Sequence, residues 1–169
     1  GMVMKLLAEL GLEDNTLIIF TSYNGVHAEG GHDPYFFDSN GIYRGIKRDL
    51  YDGGIHVPFI VHYPGVVAPG SRCGHVSAFW DFMPTICELI GIEPPSGIDG
   101  ISYLPSITGN KRQRKHDWLY FEFHEQGGRR CLIRDGWKLI GLNVSHPGKS
   151  SFELYCLETD PSENNNVVT

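Results

Sequence analysis

The sequence predicts an α/β domain followed by a smaller antiparallel-sheet domain, on three observations. The first half alternates helical and strand-like apolar patterns, which is the order of an α/β fold. From residue 118 onward, four short aromatic or β-branched runs are separated by turn residues, as in an antiparallel meander. Between the two patterns, a short basic run indicates a solvated linker at residues 106–116. The predicted domains are therefore residues 1–105 and 117–169.

The first elements are predicted from the spacing of apolar residues. A helix is indicated by apolar residues at i, i+3, i+4 and i+7 with a glycine to end it: Val3, Leu6, Leu7, Leu10 and Gly11. Short apolar runs follow at residues 16–21 and 57–62, and Pro64 with Gly65 ends the second. Runs of this kind are typical of parallel strands that are buried on both faces.

A second long helix is predicted over residues 81–91. Asp81 is suited to cap it, Pro84 is tolerated in the first turn, and Gly91 ends it. We expect its inner face to consist of four apolar residues: Phe82, Ile86, Leu89 and Ile90. Beyond the linker, the meander strands are predicted at residues 118–123, 130–134, 137–142 and 152–157.

Composition excludes several classes of protein. The 169 residues carry 14 basic and 20 acidic side chains, a net charge of −6, which does not suit a protein built to bind nucleic acid or anionic lipid. No apolar run approaches the roughly 20 residues of a membrane-spanning helix, and the N-terminus lacks the pattern of a signal sequence. A hydrophobic content of 41% is enough for a core.

The four cysteines are far apart and form no C-x-x-C pair, which argues against a zinc ribbon: Cys73, Cys87, Cys131 and Cys156. A dense disulfide framework is not indicated either. One disulfide stays open as an alternative, and four buried free thiols are the favoured interpretation.

A dense polar segment lies between the two predicted buried strands. Tyr23 and Asn24 directly follow the first strand, and ligands of open α/β sheets bind outside the carboxyl ends of strands. Asn24 offers a neutral oxygen to a hard cation such as Ca²⁺, and Lys47 offers a point charge to an oxyanion. His27 and His32 are suited to bind an anion or to transfer protons. These residue types predict a metal-assisted site for an anionic ester.

A purely structural interpretation of the same residues also stays open. The segment is rich in glycine, and its polar groups fit a surface loop without a function of its own. Asn24 before Gly25 fits a turn that needs a positive φ, and Lys47 fits an ordinary surface lysine.

The residues of this segment follow one another in a distinctive order: Ser22-Tyr23-Asn24-Gly25, Gly30-Gly31-His32-Asp33-Pro34, Arg44-Gly45-Ile46-Lys47 and Tyr51-Asp52-Gly53-Gly54. Further short stretches follow in order at residues 81–85, 99–102, 137–139, 153–155 and 160–164. In this order they resemble the formylglycine-dependent sulfatases of the arylsulfatase type. The resemblance covers nearly the whole chain.

The resemblance implies the C-terminal part of an alkaline-phosphatase-like sheet sandwich, followed by a small α+β domain with an antiparallel sheet. It implies hydrolysis of sulfuric esters, either sulfated sugars or aryl sulfates, in a periplasmic or secreted enzyme. In that family a cysteine or serine within C/S-x-P-x-R becomes formylglycine, beside a Ca²⁺ held by three aspartates and one asparagine. A related phosphonate or phosphate monoester hydrolase fits the stretch from Lys47 to Gly54 less well.

Four residues carry family roles over to this sequence. The resemblance implies that Asn24 is a metal ligand and that Lys47 contacts the sulfate, and it puts His32 and Asp33 near the substrate. Two positions depart from the family: Tyr23 stands where the family has a metal-binding aspartate, and His56 stands where it has arginine. A phenol in place of a carboxylate removes one anionic ligand.

No C/S-x-P-x-R occurs in this sequence, so we expect the nucleophile and the other metal ligands in an N-terminal half that it lacks. We therefore predict that the chain alone is inactive and binds no Ca²⁺ tightly. The alternative is a non-catalytic remnant or a module that binds sulfated glycans. We expect no nucleic-acid or membrane partner, and a homo-oligomer formed through the incomplete sheet of residues 16–21 and 57–62.

Overall fold

Residues 1–169 are all described by the computed structural model, and the chain divides into two units. The first unit comprises Gly1–Phe20 and Phe59–His116, and the second comprises Thr21–Pro58 and Asp117–Thr169. The last junction lies at the end of the predicted linker. The segment from Thr21 to Pro58, however, belongs to the same unit as the C-terminal sheet, whereas the sequence predicts it in the first domain. The predicted domain limits themselves stay a prediction.

The first unit contains three helices and a two-stranded sheet. Its elements are α1 (Met2–Glu9), β1 (Ile18–Thr21), β2 (Phe59–His62), α4 (Phe82–Ile90) and α5 (Leu104–Ile107), and β1 ends with the first residue of the second unit. Strands β1 and β2 are hydrogen-bonded neighbours, so both predicted apolar runs form strands. Helix α1 forms where predicted, but it buries no residue.

Helix α4 buries a different face from the predicted one. Of the four expected inner residues, Ile86 and Leu89 are half-buried. The other two, Phe82 and Ile90, are exposed. The buried residues are instead Pro84, Thr85 and Cys87. Thr85 explains this orientation, because its Oγ donates to the Asp81 carbonyl oxygen at 2.6 Å and accepts the N–H of Tyr103 at 3.0 Å.

Asp81 is not the side-chain cap of α4 that the sequence predicted. Its backbone is already helical, with φ −81° and ψ −13°, whereas a capping residue adopts extended angles. Its buried carboxylate instead accepts the N–H groups of Ala78 and Ile101, each at 2.8 Å, and lies 2.8 Å from His116 Nε2. Asp81 therefore ties three segments of the first unit together.

The second unit is built on a four-stranded antiparallel sheet in the order β3-β4-β5-β6, which confirms the predicted meander. Its strands are β3 (Leu119–Phe123), β4 (Arg129–Arg134), β5 (Trp137–Leu142) and β6 (Ser151–Cys156). Two short helices precede it in the chain: α2 (Pro34–Phe37) and α3 (Asp52–Ile55). The tight turn between β4 and β5 has positive φ at both central residues, Asp135 and Gly136, as a two-residue hairpin requires.

All four cysteines are free thiols. Cys87 and Cys131 are buried as predicted, but Cys73 is exposed and Cys156 is half-buried, so the expectation of four buried thiols is wrong for two of them. Burial raises the pKa of Cys131 to about 12.

No helix of the chain combines the length and apolar character needed to cross a membrane.

Candidate active-site region

Three glycines join the polar loop after β1 to the turn that begins α3. Gly25 N–H donates to the Gly54 carbonyl oxygen at 2.8 Å. A Cβ atom on Gly25 would lie 1.8 Å from the carbonyl oxygen of Gly53, and one on Gly53 would lie 2.2 Å from that of Gly45. No side chain fits into such contacts. We refer to Gly25, Gly53 and Gly54 as the glycine junction.

Asn24 lies directly beside the glycine junction. Its Nδ2 donates to the Gly25 carbonyl oxygen at 2.7 Å, while Ser22 Oγ donates to the Asn24 carbonyl oxygen at 2.8 Å. These two bonds fix the loop and leave Asn24 Oδ1 as an acceptor. The preceding Tyr23 side chain is 77% exposed.

Lys47 is held beside the same loop. Its backbone N–H donates to the Val26 carbonyl oxygen at 2.7 Å. Its Nζ lies 3.0 Å from Glu29 Oε2, and Arg48 lies 2.7 Å from Glu29 Oε1. The hydrogen bond between Lys47 and Glu29 raises the pKa of the lysine and lowers that of the carboxyl group. The structure therefore brings Lys47 and Asn24 to one region, which we call the Asn24–Lys47 region.

His32 and Asp33 form a neighbouring part of the loop. The His32 ring stacks on Phe37 with centroids 5.2 Å apart, and its centroid is 5.4 Å from that of His27. Asp33 Oδ1 accepts the N–H groups of residues 35 and 36, at 2.9 and 3.1 Å, and so caps α2. Neither side chain forms a hydrogen bond or ion pair with Lys47 or Asn24, and their substrate role stays a prediction.

Comparison with known proteins identifies the chain. A family model described as "N-sulphoglucosamine sulphohydrolase, C-terminal" matches residues 41–169. This chain belongs to the sulfatases.

The chain is similar to sulfatases over nearly its whole length. It is 39% identical to rat (Rattus norvegicus) steryl-sulfatase over 124 residues, which cover 71% of this chain and 22% of that protein. It is 31% identical to human (Homo sapiens) arylsulfatase D over 195 aligned residues, which cover 96% of this chain and 32% of that protein. A protein solved with its substrate D-glucosamine-2-N,6-O-disulfate matches 99% of this chain with a TM-score of 0.78 and 26% identity, and 33% of its own length is covered.

The chain thus spans about a fifth to a third of the length of these relatives. The resemblance drawn from the sequence and the predicted alkaline-phosphatase-like fold class, mixed α/β with an antiparallel sheet, are confirmed.

Three of the sulfatase-like stretches, at residues 51–54, 137–139 and 160–164, meet in the core of the second unit. Lys138 on β5 and Glu163 are both fully buried, and Lys138 Nζ lies 2.9 Å from Glu163 Oε1. Lys138 Nζ also contacts the carboxylate of Asp52, whose backbone N–H donates to Glu163 Oε2 at 2.6 Å. We call Lys138, Asp52 and Glu163 the buried charge triad. These residues lie within sulfatase-like stretches of the sequence, but no local pattern there indicated a role for them.

The two carboxyl groups of the triad differ in pKa. Burial raises the pKa of Glu163, and this effect outweighs the opposing charge of Lys138. Burial acts in the same direction on Asp52, but the hydrogen bond from His56 and the charge of Lys138 outweigh it, so the pKa of Asp52 is lowered. His56 Nδ1 lies 3.4 Å from Asp52 Oδ2. The histidine that departs from the family pattern therefore pairs with the triad.

A second, partly buried network adjoins the triad. Tyr51 and Tyr155 both donate their hydroxyl protons to Glu153 Oε2, at 2.6 and 2.9 Å. Arg44 donates to Tyr155 Oη at 3.0 Å and to the Glu163 carbonyl oxygen at 2.8 Å, and its guanidinium lies 4.0 Å from the Tyr51 ring centroid. Burial and Glu153 raise the pKa of Tyr51, so this tyrosine stays a neutral donor. The stretch at residues 153–155 is therefore structural.

The residues of this chain do not by themselves fit a calcium site. Asn24 Oδ1 is one neutral oxygen, and Tyr23 offers a phenol that points to solvent. No group of three or more His, Cys, Asp or Glu side chains in the chain is arranged to hold a metal ion. Calcium requires six to eight oxygen ligands. A metal ion belongs to the complete enzymes of the family.

Proposed function

We propose that this chain is part of a sulfuric ester hydrolase and that its Asn24–Lys47 region faces the sulfate group of the substrate. The observation that carries the proposal is the glycine junction, which holds the loop of Asn24 against the turn after Lys47 in a chain of the sulfatase family. Close backbone packing of this kind leaves few other positions for either residue.

The residues of the region have distinct tasks in this proposal. Lys47 supplies a positive charge to a sulfate oxygen, since an ammonium is a compact point charge for oxyanions. Asn24 supplies one neutral oxygen at the metal position of the complete enzyme. His32 and Asp33 contact the substrate from the neighbouring loop. We assign sulfated sugars or aryl sulfates as the substrate class, supported by the disulfated glucosamine bound in one relative and the name of another.

A periplasmic or secreted location is part of the same proposal and rests on the family alone. The second candidate function is a module that binds sulfated glycans without hydrolysing them. The exposed phenol of Tyr23, in the place of a family aspartate, favours this candidate. Both candidates require that Lys47 binds a sulfate group.

A nuclear magnetic resonance (NMR) titration of the chain with inorganic sulfate and with phenyl sulfate tests the proposal. We expect shifts at Lys47 and Asn24 in the millimolar range, loss of these shifts in Lys47→Met, and unchanged shifts in Lys5→Met. Lys5 is a suitable control because it is an exposed lysine paired with Glu9 on α1. Equal binding by wild type and Lys47→Met would overturn the proposal.

A further inference from the structure

We infer that the buried charge triad positions the Asn24–Lys47 region, with Lys138 and Glu163 as positioning residues that act through Asp52 and the glycine junction. The inference rests on the proposed function in one respect: the region that the triad positions is the region proposed to face sulfate. All the residues concerned lie in the second unit.

The connection runs through the first residue of α3. Glu163 Oε2 accepts the backbone N–H of Asp52 at 2.6 Å, and Lys138 Nζ contacts the Asp52 carboxylate. The two residues that follow are Gly53 and Gly54 of the glycine junction. Glu163 and Lys138 therefore hold both the backbone and the side chain of Asp52, the residue immediately before the glycine junction.

From the junction, two backbone hydrogen bonds reach the site residues. Gly54 accepts the N–H of Gly25, which is adjacent to Asn24, at 2.8 Å. Val26 accepts the N–H of Lys47 at 2.7 Å. Since an added Cβ atom would collide with the chain at each junction glycine, a shift of the Asp52 backbone is passed on to Gly25.

The triad is itself held firmly. Lys138 lies on β5 and pairs in register with Ile133 of β4 and Tyr155 of β6, so its backbone is fixed from both sides. A fully buried ammonium must keep its carboxylate partners, because an unpaired charge in the core is strongly unfavourable. The ion pairs of Lys138 with Asp52 and Glu163 therefore resist displacement of any one of the three side chains.

Glu163 is placed at the cost of an unusual backbone. Its φ is +52°, a left-handed conformation that residues other than glycine seldom adopt. The Asp160 carboxylate holds this loop by accepting the N–H groups of Asn164 and Asn165, at 3.1 and 2.8 Å. Strained backbone persists where the surrounding structure enforces it, which supports a specific task for this side chain.

Hydrogen exchange of single amides distinguishes positioning from a general contribution to stability. The readouts are the N–H groups of Gly25 and Lys47, and the variant is Glu163→Ala. The control is Ile140→Ala, which removes a fully buried side chain of β5 outside the triad. Denaturant concentrations are chosen so that both variants have the same free energy of unfolding.

We expect the two amides to exchange at least about tenfold faster in Glu163→Ala than in the matched control. Glu163→Gln, which keeps an acceptor for the Asp52 N–H, should exchange at an intermediate rate. Equal exchange in Glu163→Ala and the control would overturn the inference. If Glu163→Ala does not fold, Lys138→Met takes its place. Exchange of the Gly25 amide at the same rate in Lys138→Met and in Ile140→Ala would then overturn the inference.

Sulfate titration separates this inference from the proposed function. We expect Glu163→Ala to lose at least about half of the sulfate-induced shift at Lys47, while the Ile140→Ala control keeps it. A wild-type chain that shows no sulfate shift would contradict the proposed function. The amide exchange result would still decide the positioning role.

Discussion

The carboxylate of Glu29 lies 3.0 Å from Lys47 Nζ, in the place where the lysine would meet an anion. The second carboxylate oxygen of Glu29 contacts Arg48 at 2.7 Å, so both cations of this loop are neutralised by one side chain of the same loop. A sulfate group that approaches Lys47 must compete with Glu29. The Lys47 side chain is 22% and the Glu29 side chain 45% exposed, so water reaches the pair, its net strength is modest and such an exchange is feasible.

The first prediction follows from this competition. Glu29→Gln removes the negative charge and should tighten the binding of inorganic sulfate at Lys47 by roughly two- to fivefold, as expected for loss of an exposed ion pair. NMR titration gives the affinity. Glu9→Gln, which breaks the exposed pair with Lys5 on α1, is the matched control and should leave the affinity unchanged. Weaker binding by Glu29→Gln would mean that Glu29 holds Lys47 in place.

A second prediction is that the 169-residue chain alone hydrolyses no sulfate ester. The sequence contains no C/S-x-P-x-R from which a formylglycine nucleophile could be made. Release of the phenol from an aryl sulfate in the presence of Ca²⁺ is the measurement, with a protein-free blank. Turnover that persists after repeated purification and disappears in Lys47→Ala would contradict the prediction.

Calcium affinity is the third prediction. Asn24 Oδ1 alone provides far fewer oxygen ligands than calcium needs, so calorimetry should show no binding tighter than about millimolar. Tyr23→Asp adds one carboxylate to the same loop and should not restore tight binding by itself. A dissociation constant in the micromolar range for either protein would show that ligands from another part of the chain complete the site.

The fourth prediction concerns pH and the triad. The lowered pKa of Asp52 means that its contribution to stability is present above its unfolded value of 3.8 and is lost as pH falls through the lower folded value. The raised pKa of Glu163 has the opposite effect: its contribution is present below its unfolded value of 4.5 and is lost as pH rises through the folded value.

Glu163→Gln should therefore change the pH dependence of stability in a defined direction. Urea unfolding at pH 5 and pH 7.5 gives the free energy of unfolding of both proteins. We expect the wild type to lose more stability between these values than the variant, because only the wild type has the Glu163 carboxyl group, whose burial opposes its ionisation. An identical loss in both would contradict the raised pKa.

The meander and helices α1 and α4 were predictable because their signals are local. Asp135 with Gly136 specifies a tight hairpin wherever it occurs between strands, and the apolar spacing of Val3 to Leu10 specifies a helix. The buried face of α4 was not predictable, because it depends on the bond between Thr85 and Tyr103, which lie 18 positions apart. Hydrophobicity alone selected the wrong residues.

The candidate site was predictable only in part, for a similar reason. Asn24 and Lys47 were identified through their sequence motifs, and the structure brings their loops together at the glycine junction. Glu29 was not identified, since nothing near residue 29 signals a partner 18 positions away. Lys138 and Glu163 were quoted in short motifs, but a lysine in a strand gives no local sign that it will be fully buried beside two carboxylates.

The fifth prediction is self-association through the first unit. Strands β1 and β2 form a sheet of only two strands, which leaves an unpaired backbone edge on each. Phe20 and Ile60 on these strands are 62% and 60% exposed. An exposed apolar patch of several hundred Å² is uncommon on soluble monomers, and its burial is favourable at about 25 cal/mol per Å² before the cost of association. We therefore expect a dimer formed through this sheet.

Light scattering after gel filtration at micromolar concentration measures the association. The wild-type chain should have about twice the 18.9 kDa monomer mass. Ile60→Lys places a charge on the exposed sheet and should shift the equilibrium to the monomer. Phe152→Ser removes an aromatic residue that is 51% exposed on β6 of the other unit, and it should not shift the equilibrium. A wild-type monomer that binds no hydrophobic dye would show that the apolar residues of β1 and β2 do not form a contact surface.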